Sequence, residues 1–210
     1  MKLKEKTKPA IPPMEAGVYM AVCVAVADLG DQYSERFKNT SRKVVFSFDI
    51  PSETVEIDGK QHPRQLSKRC TFSVSKNGIL YKLLNAWLNA NYSEQELGEI
   101  DLFDLIGRGC QVRVTVSDDG AYNNIEDVMA LPKGIPAPQS PTKPIAYDID
   151  RDGFSGEVWD SLPNWMRDVI EKSEQYQSDP PDKPLDMQPD KPFGIPAEQK
   201  CEDAEEGCPI

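Results

Sequence analysis

The sequence predicts a mainly β domain followed by a proline-rich, acidic extension, and three observations carry that prediction. Five runs of β-branched and apolar residues, most with a period of two, are bounded by Gly, Asp or Pro signals. Between the third and fourth runs the spacing changes to the three- and four-residue intervals of an amphipathic helix. Most of the 18 prolines fall at or after position 132, and charge divides nearby: residues 1–145 carry 18 basic and 18 acidic residues, whereas residues 146–210 carry 6 and 17. The net charge of −11 therefore belongs to the last third. A neutral front part keeps a polyanionic partner in play although the whole chain is acidic.

The first strand is read from "GVYMAVCVAVADLG", over about Val18–Ala27, with Val18, Met20, Val22, Val24 and Val26 on one face. A polar, basic loop, "DQYSERFKNTSRK", leads to "VVFSFDIP", where Val44, Phe46, Phe48 and Ile50 share a face and Pro51 ends the strand. Asp58-Gly59 is a turn signal that joins strands two and three. In "QLSKRCTFSV" the third strand puts Leu66, Cys70, Phe72 and Val74 on one side. The helix follows in "NGILYKLLNAWLNA", striped by Ile79, Leu80, Leu83, Leu84, Trp87 and Leu88, and Ser93 with Glu96 makes a capping box for a second short helix. "CQVRVTV" and "AYNNIEDVMAL" are strands four and five, joined across "SDDG". This order is that of an OB-fold, a five-stranded Greek-key barrel, here with one or two helices between strands 3 and 4. A small mixed sheet with a covering helix fits the same order.

The chain then divides into a flexible basic N-terminus (1–14), an OB-fold-like domain (15–134), a Pro-rich linker (135–158), a short C-terminal helix (159–177) and a disordered acidic tail (178–210). The helix is read from Ser161 as cap, Pro163 in the first turn, and Trp165, Val169 and Ile170 as its apolar face. The tail holds too few apolar residues to offset the entropy of ordering it. Cys23, Cys70 and Cys110 sit in strand-like runs as small core residues, Cys201 and Cys208 fall in the tail, and His62 is the sole histidine. No zinc-ligand spacing results, and no cofactor is expected. His62 in "KQHPR" lacks a triad context, and Ser73 and Lys76 lack the companions of a Ser-x-x-Lys site, so the chain reads as a non-enzyme. No run approaches the roughly 20 apolar residues of a membrane span. The expectation is no membrane partner and a cytoplasmic location.

Binding chemistry is concentrated in the front part. Tyr33, Arg36, Phe37, Lys38, Arg42 and Lys43 mix aromatics with cations in the connection between strands one and two. Arg64, Lys68 and Arg69 lie at strand three, and Tyr122 stands at the start of strand five. Proteins that hold single-stranded DNA combine a cationic groove with aromatic faces for bases, and OB-folds present strands two and three between the loops that contain these residues. Phe46, Phe48, Phe72 and Trp87 are assigned to the core by periodicity. At the end of the chain, Glu202, Asp203, Glu205 and Glu206 precede Pro209 and Ile210. Such a tip suits a basic pocket that pairs the carboxylates and an apolar hole that takes the isoleucine.

The layout of an OB-like domain, a Pro-rich linker and an acidic tip ending in Pro plus one apolar residue is similar to bacterial and phage single-stranded DNA-binding proteins. Their tips usually end in Pro-Phe, whereas Ile210 stands here, with Gly207-Cys208 before Pro209. The stretches "GVYMAVCVAVADLG", "FSFDIPSE", "LFDLIGRGC", "YNNIEDVMALPKG" and "LPNWMRDVIEKSEQY" resemble a phage and prophage family associated with replication or recombination. The resemblance covers about residues 15–177 and carries over no individual binding residue. It implies a sequence-nonspecific single-stranded DNA-binding protein of a phage or prophage, in the host cytoplasm. Such a protein protects the strand and recruits replication or recombination proteins through its tip. A strand-annealing or recombination-mediator protein, and an adaptor that contacts only proteins, are the alternatives. Homo-oligomerisation is left open by the sequence.

Overall fold

A computed structural model describes residues 12–57, 59–178 and 180 of the chain. Strand β1 (Gly17–Ser34) is its axis. Along one edge β1 pairs antiparallel with β2 (Asn39–Ile57). Along the other it pairs first with β4 (Gly109–Val116), through Gly17–Val22, and then in parallel with β6 (Ile145–Tyr147), through Ala25–Ala27. Adding β3 (Lys60–Thr71) and β5 (Asn123–Met129) gives a mainly antiparallel, six-stranded sheet with the path β3-β2-β1-β4-β5 and β6 beside β1.

One face of this sheet curls around the first core. Val44, Phe46, Phe48 and Ile50 of β2 point into it as their alternation requires, meeting Ala21, Cys23 and Val26 of β1 and Val112 and Val114 of β4. Helix α1 (Ile79–Leu88) lays Leu80, Leu84 and Trp87 on top. The Trp87 ring meets Phe46 and Phe48 edge-on, at centroid distances of 6.1 and 5.4 Å, while its indole N–H donates to the Gly109 carbonyl at 3.1 Å. Helix α2 (Glu94–Gly98) begins on the expected Ser93/Glu96 capping box.

The sheet does not close into the expected barrel. Between β3 and β5 no backbone ladder forms; instead Lys68 Nζ donates to the carbonyls of Ile125 (2.7 Å) and Glu126 (3.2 Å), and Arg64 donates to Asn123 Oδ1 (3.2 Å). A long side chain spans the gap that a β3–β5 ladder would fill.

Three strand expectations are corrected. The inward residues of β1 are Ala21 and Cys23, not the valine series, because a register shift between Cys23 and Ala25 changes the phase and brings Val26 inward, while Val18 is 54% exposed. Pro51 does not end β2, since the shift between Ile50 and Thr54 leaves it where no ladder N–H is required. Phe72 lies past the end of β3 and is exposed rather than in the core.

The larger correction concerns residues 135–177. They are neither a linker nor a single helix: β6 is followed by α3 (Ile149–Asp152), α4 (Glu157–Ser161), α5 (Asn164–Ile170) and α6 (Glu174–Ser178). Tyr147, Ile149, Trp159, Leu162, Met166 and Ile170 cover Ala27, Leu29 and Val45 on the other face of β1 and β2, making a second core. Ser161 ends α4 instead of capping α5, and Trp165 is 39% exposed where Met166 is buried. Gly30, with φ +70°, lets this layer approach, because a Cβ there would lie 2.7 Å from that of Ser173. The buried Asp49 carboxylate straps the intervening segment, accepting from Gln65 Nε2 at 2.9 Å and from the hydroxyls of Ser140 and Thr142. At the front, Met14 is buried and exchanges two hydrogen bonds with the Asn123 side chain, so residue 14 belongs to the folded part; residues 1–11 of the expected flexible N-terminus lie outside the described residues. The expected acidic tail, apart from residues 178 and 180, lies outside the described residues.

Ending the chain at Gly134 should therefore uncover the second core and lower the urea midpoint or abolish the cooperative transition, whereas ending it at Ser178 should leave the midpoint unchanged. Equilibrium unfolding of the two truncations, followed by circular dichroism, checks this.

Candidate nucleic-acid interface

The expected basic loop between strands one and two is mostly strand. β1 and β2 stay paired out to Ser34 and Asn39, so Tyr33, Arg42 and Lys43 are ladder residues and Arg36, Phe37 and Lys38 form the tip. The tight reversal holds Lys38 at φ 52°. With no strand beyond it, the tip leaves Phe37 69% exposed, and the Arg36 guanidinium lies 5.2 Å from the centre of its ring. Tyr33 is also exposed. At the β4–β5 turn, hydrogen bonds between Ser117 and Tyr122 close the hairpin, and Tyr122 is 69% exposed.

Strand β3 fixes where these tips stand. Its C-terminal end pairs Thr71 with Lys43, near the β1–β2 tip, while Arg64 pairs with Ile50 and reaches Asn123 at the start of β5. The two aromatic tips therefore lie at separate points along the β2–β3 ribbon, about 23 Å apart by the Arg64-to-Thr71 stretch of β3, and the ribbon itself continues past Arg64 to the Ile57–Lys60 pair. Cross-strand partners share a face, so Val45 with Arg69 and Lys43 with Thr71 put both cations on the face opposite the first core. Lys43 Nζ donates to Thr71 Oγ1 at 2.7 Å. Arg36, Lys38, Lys43 and Arg69 make no ion pair among the described residues.

The remaining predicted cations are engaged elsewhere. Arg64 and Lys68 pair with Ile50 and Phe46, hence share the inner face and hold the β3–β5 seam. Arg42 donates from Nε (3.0 Å) and Nη2 (2.5 Å) to Asp28 and from Nη2 (2.7 Å) to Asp150. The hydrogen bond to Asp28, helped by that to Asp150, pushes its pKa above the usual arginine range against the opposing effect of burial. Arg42 is thus an internal tie between β1, β2 and α3.

Sequence reasoning missed Phe72, which is 53% exposed, its N–H bonded to the Arg42 carbonyl at 2.8 Å. The signal was the cluster Ser-Val-Ser-Lys-Asn-Gly that follows it and ends the strand. Phe72 lines a cavity of about 170 Å³ at the end of the first core, together with Val44, Arg42, Phe103, Asp101 and Asp148.

Burial pushes the Cys23 thiol up to about 12 and Cys70 to about 11, and Cys110 higher still, which suppresses their thiolates. Among the described residues no cluster of His, Cys, Asp and Glu could hold a metal ion, and no helix is long and apolar enough to cross a membrane. The tip residues Glu202, Asp203, Glu205, Glu206, Pro209 and Ile210 lie outside the described residues. No protein-family model matches the chain, and comparison with curated proteins finds no match.

Two outcomes follow from this geometry. Arg42→Ala should cost about 1–2 kcal/mol in urea unfolding, less than a fully buried pair because the Arg42 side chain is 29% exposed. Iodoacetamide at pH 8 should leave Cys23, Cys70 and Cys110 unlabelled in the native protein and label them in urea, read by peptide mass spectrometry.

Proposed function

We propose that the protein binds single-stranded DNA without strict sequence readout, along the β2–β3 ribbon from one hairpin tip to the other. The observation that carries this reading is the pair of exposed aromatic tips, Phe37 with Tyr33 and Tyr122, set apart along a ribbon whose outer face holds Lys43 and Arg69 with no ion pair among the described residues. Cations draw in the phosphates, and aromatic rings accept bases of any identity at about 1–3 kcal/mol each. The strand path is that of an OB-fold whose last seam is bridged by side chains, which supports an OB-like reading of the domain. On this face the C-terminal layer buries Val45, Ser47 and Asp49 of β2 while Arg69 and Ser67 of β3 stay exposed, so the bound strand would follow β3. In this reading the acidic tip recruits replication or recombination proteins, in keeping with a phage or prophage origin and action in the host cytoplasm.

Fluorescence anisotropy with labelled oligo-dT should show affinity falling as salt rises from 50 to 300 mM, since about 0.7 counterions leave per neutralised phosphate. Lys43→Ala and Arg69→Ala should each flatten that dependence, Phe37→Ala should weaken binding about tenfold, and Arg42→Ala should leave the salt slope unchanged. Removing residues 199–210 should preserve DNA binding and abolish capture of the replication or recombination partner. No binding to oligo-dT at 50 mM salt would overturn the reading and favour an adaptor that contacts only proteins.

A further inference from the structure

The cavity beside Phe72 differs in character from the ribbon. Its walls are apolar and aromatic, from Val44, Phe72 and Phe103, and its polar lining is mostly acceptor. Asp101 uses Oδ1 to accept the Phe103 N–H at 2.9 Å, and Asp148 uses Oδ1 to accept the N–H groups of Asp150 (2.9 Å) and Arg151 (3.3 Å). The second oxygen of each carboxylate accepts no hydrogen bond among the described residues. Of the donors nearby, Arg42 gives Nε and Nη2 to Asp28 and Asp150, the Tyr147 hydroxyl bonds the Gly153 carbonyl at 2.8 Å, and Arg151, whose guanidinium lies 4.8 Å from the centre of the Phe103 ring, gives Nε and Nη2 to Asp152 and the Ala146 carbonyl. A ligand that fits must bring a flat apolar body and N–H groups of its own, and must keep negative charge outside.

We infer that this cavity receives one amino-bearing nucleobase of the bound strand, with its ring against Phe72 and its exocyclic amine donated to Asp101 or Asp148. The inference rests on the single-strand reading above and adds a base preference to it. Continuity with the ribbon is the argument for a base over other flat donors. Phe72 directly follows Thr71, whose hydroxyl holds the Lys43 ammonium on the opposite face of β3. A phosphate held at Lys43 stays clear of the carboxylates while its base turns over the end of β3 into the cavity. Cytosine offers an N4 amine where thymine offers the O4 acceptor, and a carboxylate is the natural partner of the former and repels the latter. A volume of about 170 Å³ leaves room for one base rather than a base pair. The arginine side chain of a protein partner is the competing occupant, being flat and rich in donors, but it lacks that continuity with the ribbon.

Oligo-dC and oligo-dT of equal length, titrated by anisotropy into the full-length protein, form the test. The protein should prefer oligo-dC by about fivefold, a modest share of what one good carboxylate–amine contact can supply. The double variant Asp101→Asn/Asp148→Asn keeps two residues that cap helices well; it should lose the preference while holding its affinity for oligo-dT. Phe72→Ala, at an exposed site, should lose the preference as well and guards against a folding defect in the double variant. Equal affinity of the native protein for both oligonucleotides would overturn the base pocket and leave the single-strand reading standing. Absence of binding to either would overturn both. In ¹H–¹³C spectra, N-acetylarginine amide shifting the Phe72 and Phe103 ring signals while oligo-dC leaves them in place would assign the cavity to a protein partner and overturn the inference.

Discussion

Everything in this molecule hangs on β1 being buried on both faces. From Ala21 to Ala27 every residue is at most 5% exposed, which a strand tolerates only when its sequence is nearly continuously apolar and its neighbours come close. Ala21, Cys23, Ala25 and Ala27 supply small side chains, so the layers above and below can approach the same backbone. Three strands share its edges, with β6 taking over the edge where β4 ends. Register shifts at Cys23/Ala25 and Asp28/Gly30 bend the strand out of the first core toward the second. The Asp28–Arg42 ion pair sits at the latter shift, where β1 leaves the apolar interior and a half-buried carboxylate has a cation beside it.

The same burial decides what was legible in the sequence. β2, α1 and the capping box could be read because each has one apolar and one polar face, so period and phase are visible together. β1 announced itself as a strand, yet its phase was hidden, since an apolar run on both faces carries no alternation and a bulge leaves no compositional mark. The C-terminal layer was illegible for the opposite reason. Tyr147, Ile149, Phe154, Trp159 and Leu162 stand singly among Pro, Gly and Asp, without the repeats that betray helices of ordinary length, and they gain order only from a β1 face that seemed complete. Segregation of proline and charge marked the boundary of the first core correctly and was mistaken for the boundary of the folded part.

At the candidate interface, what depends on local geometry was readable and what depends on distant partners was not. Phe37 and Tyr122 are exposed because they occupy turns, and turns are visible in sequence. Arg42 looked equivalent to Lys43, its neighbour, but alternation sends the two to opposite faces, and one of its acceptors, Asp150, lies 108 residues away. Phe72 was given to the core by extending a period-two pattern one residue past the point where the ladder stops.

Charge bookkeeping over the whole chain misleads for a related reason. Some acidic residues of the C-terminal layer are spent within it or on its attachment: Asp148 caps α3, Asp152 binds Arg151 and the Asp148 N–H, Asp150 meets Arg42 and Glu174 accepts from the Thr40 hydroxyl. Each of these carboxylates has a partner close by, whereas Lys43 and Arg69 on the ribbon make no ion pair among the described residues. Screening confines exposed charges to about 10 Å at 0.1 M salt, so the potential at any patch is set by its near neighbours rather than by a total of −11 summed over the chain. Alternation along β2 and β3 thus divides the cations by face: Lys43 and Arg69 go outward and stay without an ion pair among the described residues, while Arg42, Arg64 and Lys68 go inward and are each spent on an acceptor that holds two elements together.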